Sequence, residues 1–311
     1  MCRTLGAGIS EKLGYCFYMV GPMMHALATS RVVMLDGYCI PASILRHKNS
    51  LKIVQMWHAM GAFKRFGYAV LDKEEGYSHG LARAMNMHRN YDHIFVSNDI
   101  CKPLLAEAYD CSVDKMLVMP LPRVDFIRKE NYVEDSACRI YDRYPALKEK
   151  KNILYAPTFR KGADNTEYVR RIIERADYSM YNIIVRPHPL MKDQITSDQA
   201  IIDYDFSSME MLAVADYVVT DYSAFILEAA LAGKPLFLFV PDRDKYLGTR
   251  GFFTDIAEEC PGTVSTDAEE LFDAIGSNDC NLDAVSAFAE KYVRISDDCT
   301  GDIVKFINNL M

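Results

Sequence analysis

The chain has 311 residues, 50% of them hydrophobic and 25% charged, with a formal net charge of -8. That is ordinary globular composition, and the length exceeds the roughly 250 to 300 residues that a single core serves, so two domains are expected. The acidic balance excludes general nucleic-acid binding, which needs a basic footprint, and nine scattered cysteines without a C-x-x-C pair fit the reduced thiols of a cytoplasmic protein rather than a zinc framework.

From the N-terminus, an apolar patch and a helix over Met23 to Thr29 lead into a strand, Arg31 to Leu35, that stops at Asp36-Gly37. No uninterrupted apolar run reaches the roughly 18 residues of a membrane span, so any membrane contact is expected to be peripheral. A second strand, Lys52 to Trp57, carries into His58 and then the small, basic run Ala59 to Gly67. Helix Gly80 to Arg89, strand His93 to Ser97, helix Asn98 to Tyr109 and strand Lys115 to Met119 complete an alternating α/β half. Pro120-Leu121-Pro122-Arg123 breaks the alternation, and the charged stretch from Asp125 to Lys151 follows. The expected organisation is therefore an N-terminal domain over 1–125, a connector over 126–151 and a C-terminal domain over 152–311, whose last helix could cross back.

The second half restarts with strand Asn152 to Ala156, then Pro157-Thr158-Phe159-Arg160, a helix Thr166 to Ala176, and strand Asn182 to Val185 ending in Arg186-Pro187-His188-Pro189. Next comes a βαβ unit: strand Tyr217 to Val219, the corner Thr220-Asp221-Tyr222-Ser223, a helix ending at Gly233, and strand Pro235 to Val240. An aromatic loop (Tyr246 to Phe253), a helix near Ala268 to Ile275 and a helical segment from Asp283 to Leu310 close the chain. Two α/β halves of similar size describe two Rossmann-like domains facing each other across a cleft, with strand ends directed into it.

Hydroxyls and a carboxylate just before an apolar helix either cap it or, with the helix N-terminus, seat a phosphate. Strand-end histidines, His58 and His188, read either as hydrogen-bonding structural residues or as proton carriers. Arg160 and Arg186 read as surface charges, ion-pair partners or phosphate ligands. The chain has no P-loop, no G-x-G-x-x-G, no G-x-S-x-G and no H-E-x-x-H, which excludes kinase-like ATPases, classical dehydrogenases, serine hydrolases and zinc proteases. What remains is a pyrophosphate-bearing donor held by the C-terminal half, with a base from the N-terminal half. In-line attack on phosphorus needs mainly positioning and charge neutralisation.

The stretches VQMWHAMGAFKRFG (54–67), ILYAPTFR (153–160), RPHP (186–189), ADYVVTDYSAFILEAALAGKP (215–235) and RGFF (250–253) closely resemble the CDP-glycerol glycerophosphotransferase family, the teichoic-acid primases, polymerases and their ribitol-phosphate relatives. The resemblance implies a GT-B fold and transfer of glycerol- or ribitol-phosphate from CDP-glycerol or CDP-ribitol to a hydroxyl of a polyprenyl-diphosphate-linked or polymer acceptor, releasing CMP, on the inner face of the cell membrane. It implies His58 as general base and His188, with Arg186, at the donor phosphates. Thr220, Asp221 and Ser223 would form the pyrophosphate seat, Glu228 would face the ribose, Thr158 and Arg160 would line the nucleotide side, and Arg250 would be a further phosphate ligand. No cofactor is implied, although Mg²⁺ could accompany the pyrophosphate. The chain departs from the family pattern where W-H-G-T-P-L-K is Trp57-His58-Ala59-Met60-Gly61-Ala62-Phe63-Lys64 and where T-D-Y-S-S ends in Ala224. The first strands of a full N-terminal Rossmann half are expected to be missing before Tyr15. A GT-B glycosyltransferase using a nucleotide sugar and a non-catalytic nucleotide-binding protein stand as the alternatives.

Overall fold

The computed structural model describes residues 8–73, 76–160, 164–191, 195–249 and 251–311. The chain divides into two compact units: unit 1 holds Met1–His58, Phe66–Met119 and Thr300–Met311, and unit 2 holds Ala59–Arg65 and Pro120–Cys299. The residues read as a connector, 126–151, are part of unit 2, where helices Arg123–Arg128 and Glu130–Arg143 occupy most of that stretch.

Unit 1 is built on a parallel sheet of four strands, β1 (Val32–Leu35), β2 (Lys52–Gln55), β3 (His93–Val96) and β4 (Met116–Val118), lying side by side in chain order. Helix Cys299–Leu310 places Ile303, Phe306 and Ile307 against Val54 of β2 and Phe95 of β3. At the other end of the chain a helix Ile9–Tyr18 continues through a wider π turn, Met19–Met23, into helix Met24–Thr29. Pro22 lies inside that turn, where its missing N–H removes a rung of the regular ladder. The helix expected over 80–89 ends at Ala84, because Asn86, His88 and Asn90 take left-handed backbone angles that no helix can continue.

Unit 2 carries a parallel sheet of six strands: β5 (Lys151–Ala156), β6 (Tyr181–Val185), β7 (Ile201–Ile202), β8 (Tyr217–Thr220), β9 (Leu236–Phe239) and β10 (Val264–Ser265). Their order across the sheet is β10-β9-β8-β5-β6-β7. The chain therefore winds outward one way from β5 to β7, returns, and winds the other way from β8 to β10. This is the doubly wound Rossmann order, with its switch point between β5 and β8, where ligands sit at the carboxyl ends of the strands. Tyr155, Val169, Ile172, Phe237, Phe239, Leu271 and Ile275 pack the core beside the sheet. Such all-round burial explains why these strands are nearly unbroken apolar runs.

The upstream segment Ala59–Arg65 is built into unit 2 by backbone pairing. Lys64 bridges Phe252 in antiparallel fashion, Arg65 N–H donates to the Gly251 carbonyl at 3.3 Å, and Phe253 N–H donates to the Phe63 carbonyl at 2.7 Å. Gly61 makes the turn, with φ of 68°, and a Cβ there would lie 2.7 Å from Leu227 Cδ1 of helix Phe225–Leu231. Both conditions select glycine.

Candidate active site

In unit 1 the carboxyl ends of β1 and β2 hold His58. Gln55 is buried at the end of β2; its Nε2 donates to the Gly37 carbonyl at 2.9 Å and its Oε1 accepts from Trp57 N–H at 2.9 Å. Trp57 is thereby held at φ of 61°, a left-handed conformation that costs a bulky residue about 1–3 kcal/mol. Its indole stacks on Phe66 at 4.3 Å between centroids and lies 4.0 Å from the His58 ring. His58 itself is exposed. Its Nδ1 lies 2.8 Å from the Asp36 carbonyl, which can only accept, so Nδ1 carries the hydrogen and the neutral ring presents a lone pair at Nε2. That is the tautomer of a proton acceptor.

In unit 2 the loops after β5, β6 and β8 lie around the switch point. Thr220 is fully buried and donates its hydroxyl to the Ala156 carbonyl at 2.8 Å, tying β8 to β5. Asp221 is equally buried, accepts twice from Thr158 N–H at 2.9 and 3.0 Å, and pairs with Arg160 at 3.0 Å. The Arg160 guanidinium also grips Asp242, with Nε at 2.6 Å and Nη2 at 3.1 Å, and donates to the Thr158 carbonyl. Burial opposes its charge, but Asp221 and Asp242 outweigh that and hold its pKa above the ordinary value.

Three residues expected at the donor have protein partners here. Thr220 and Asp221 hold the loop from within, and Arg160 pairs with two carboxylates. Glu228, expected to face the ribose, is buried against helix Arg123–Arg128 and paired with Arg123 at 2.5 Å. Desolvation raises its pKa, with Arg123 opposing. Ser223 is half-buried and accepts from Phe225 N–H at 3.3 Å, so it closes the turn before a helix that begins at Phe225. Arg250 lies outside the described residues.

One exposed and two partly buried basic side chains gather on the other side of the switch point. His188, between two prolines after β6, is exposed, tilts against Phe159 at 5.8 Å, and accepts at Nδ1 from Leu190 N–H at 3.2 Å. In the neutral ring the hydrogen therefore sits on Nε2, making this a donor where His58 is an acceptor. Burial pushes its pKa below the ordinary value, and the Lys64 and Arg186 cations push the same way. Arg186 is anchored on the Phe206, Pro187 and Asp203 carbonyls. Lys64 Nζ lies 3.5 Å from Thr158 Oγ1 and 5.4 Å above the Tyr246 ring, itself stacked on Tyr222 at 4.0 Å.

Lys64 and Asp242 are the residues that sequence reasoning passed over. Both carried a signal, since Lys64 belongs to the basic run after a strand-end histidine and Asp242 follows the strand expected over Pro235 to Val240. No group of three or more His, Cys, Asp or Glu side chains that could hold a metal occurs among the described residues.

Residues 18–307 match the sequence profile of the CDP-Glycerol:Poly(glycerophosphate) glycerophosphotransferase family. The chain is 28% identical to the teichoic acid ribitol-phosphate primase of Bacillus spizizenii, over 99% of this chain and 82% of that protein. It is 30% identical to the poly(ribitol-phosphate) polymerase of the same organism, over 87% of this chain but only 45% of that protein. The wall teichoic acid polymerase TagF superposes with a TM-score of 0.72 at 19% identity, covering 90% of this chain and 73% of that one. A UDP-GlcNAc 2-epimerase from Methanocaldococcus jannaschii shares the fold more distantly, with a TM-score of 0.59 at 15% identity over 98% of this chain and 83% of that one. The fold is α/β and GT-B-like, with two Rossmann-like units, and the chain belongs to the CDP-Glycerol:Poly(glycerophosphate) glycerophosphotransferase family.

Proposed function

We propose that this chain transfers glycerol- or ribitol-phosphate from a CDP-alditol to a hydroxyl of a lipid-linked or polymer acceptor during teichoic-acid-like polymer synthesis. The observation that carries the reading is the cluster of Lys64, Arg186 and His188 beside the switch point of a Rossmann sheet, a cationic seat for a pyrophosphate. Family membership supports a CDP-alditol as the donor class.

In this reading the acceptor oxygen attacks the phosphorus that bears the alditol, and its proton passes to Nε2 of His58. The bond from that phosphorus to the bridging oxygen breaks, and CMP leaves with the electron pair. Lys64, Arg186 and the Nε2 hydrogen of His188 neutralise charge on the leaving phosphate, the task that dominates phosphoryl transfer. The enzyme works on the inner face of the cell membrane, held there peripherally. The test is a panel of CDP-glycerol, CDP-ribitol and UDP-sugars with a polyprenyl-linked acceptor, read as nucleotide release. CMP release with one CDP-alditol, falling about 10²-fold or more in His58→Gln, is expected. Turnover of a UDP-sugar, or of none of these donors, overturns the assignment.

A further inference from the structure

Unit 1 gathers charge at a second place, on the edge of its sheet opposite His58. His58 follows the carboxyl end of β2, whereas Asn86–Tyr91 leads into the amino end of β3 and Lys115 into that of β4. There a cavity of about 300 Å³ is lined by Arg83, Arg89, Lys115, Asp110, Tyr68 and Tyr109, with His88 and neighbouring residues behind them. Three cations face one carboxylate on a chain whose net charge is -8.

Exposed arginines and lysines are most often a solvated face, and two features set this cavity apart. The Tyr109 hydroxyl is buried, in a side chain 1% exposed, and has no hydrogen-bond partner, a cost that a buried donor normally avoids. The wall is also built in advance. Asn90 Nδ2 donates to the Ala42, Ser43 and Leu45 carbonyls, each at 3.0 Å, and fixes the loop that carries Arg89. Arg89 is steadied by Asn86 at 3.1 Å, and Lys115 spends one donor on the Tyr91 carbonyl at 2.9 Å, keeping two.

The geometry points to this cavity as a binding site for a phosphate-type dianion, a phosphate monoester or pyrophosphate group. Two guanidinium forks and an ammonium suit a tetrahedral oxyanion of charge near -2, and a cavity at the small end of ligand pockets suits the group rather than a nucleotide. The anion is either free in solution or part of a longer phosphate-bearing chain. This assignment goes beyond the transferase reading and does not rest on it.

The experiment uses the full chain carrying Lys64→Met and His188→Ala, which weaken the anion seat in unit 2. It is titrated with inorganic phosphate, pyrophosphate and a short alditol-phosphate oligomer while the arginine side-chain N–H resonances are followed by NMR. Saturable shifts of the Arg83 and Arg89 signals are expected, with affinity at least tenfold weaker in Arg83→Ser/Arg89→Ser and severalfold weaker in Tyr109→Phe. The control Arg170→Ser/Arg175→Ser, on helix Asn165–Arg175 of unit 2, should bind normally. Binding of phosphate identifies a free ion as sufficient, and binding of the oligomer alone identifies a group on a chain. No saturable shift with any of the three, or binding that survives Arg83→Ser/Arg89→Ser, overturns the site.

Discussion

Two histidines at strand ends carry opposite tautomers because different backbone groups claim Nδ1: a carbonyl at His58 and an amide N–H at His188. For His188 the neutral donor form persists as pH falls past the ordinary imidazole value, since burial, Lys64 and Arg186 all lower its pKa. Replacing Lys64 by Met removes one of those cations, so the His188 pKa should rise, measured by NMR titration of the ring C–H protons. Protonation leaves the Nε2 donor in place and adds a hydrogen at Nδ1 that opposes Leu190 N–H, so loss of that backbone contact should then move to higher pH. A pKa that stays put or falls in Lys64→Met would place Lys64 outside the site. Both histidines are legible in the sequence because each directly follows an apolar strand. The Arg160–Asp242 pair is not, because its partners lie 82 residues apart and nothing local announces it.

Apart from the helix expected over 80–89, elements recognisable from apolar runs and their stops, from β1 to the helix before Gly233, stand close to where periodicity places them. The two-residue strands β7 and β10 leave no alternation to detect, and the membership of Ala59–Arg65 in unit 2 rests on pairing with residues nearly 190 positions downstream, such as Phe252. The first helical stretch carries a different kind of information. Ile9, Leu13, Phe17 and Val20 are 79%, 56%, 77% and 69% exposed at helical spacing, and only Glu11 and Lys12 are charged between Ile9 and Thr29. A stripe of that kind costs free energy in water and gains it in the headgroup boundary of a bilayer. No helix among the described residues is long and apolar enough to cross a membrane. Sedimentation with lipid vesicles should therefore retain the protein, and Phe17→Ser/Val20→Ser should release most of it. Release without vesicles from a dimer, seen as a concentration-dependent mass, would instead make the stripe a contact with a second copy.

At the scale of the whole molecule, stability should fall in acid earlier than carboxylate chemistry alone would make it fall. His88 is 6% exposed, enclosed by Tyr38, Phe66, Tyr91 and Tyr109, and burial lowers its pKa from 6.5 to about 4. Between those values the unfolded chain binds a proton that the folded chain refuses, so stability rises with pH there and is lost as pH falls. The full effect of about 2.5 pH units is worth roughly 3 kcal/mol below pH 4, and roughly 2 kcal/mol of it is gone by pH 5. His88→Asn removes the titrating group while keeping a residue type tolerant of the left-handed backbone at φ of 59°. Urea unfolding at pH 7.5 and pH 5 should show the wild type losing roughly 2 kcal/mol more than the variant across that interval. Equal losses in the two proteins would mean that His88 takes up its proton in the folded state, and that the aromatic enclosure admits the charge that its burial should refuse.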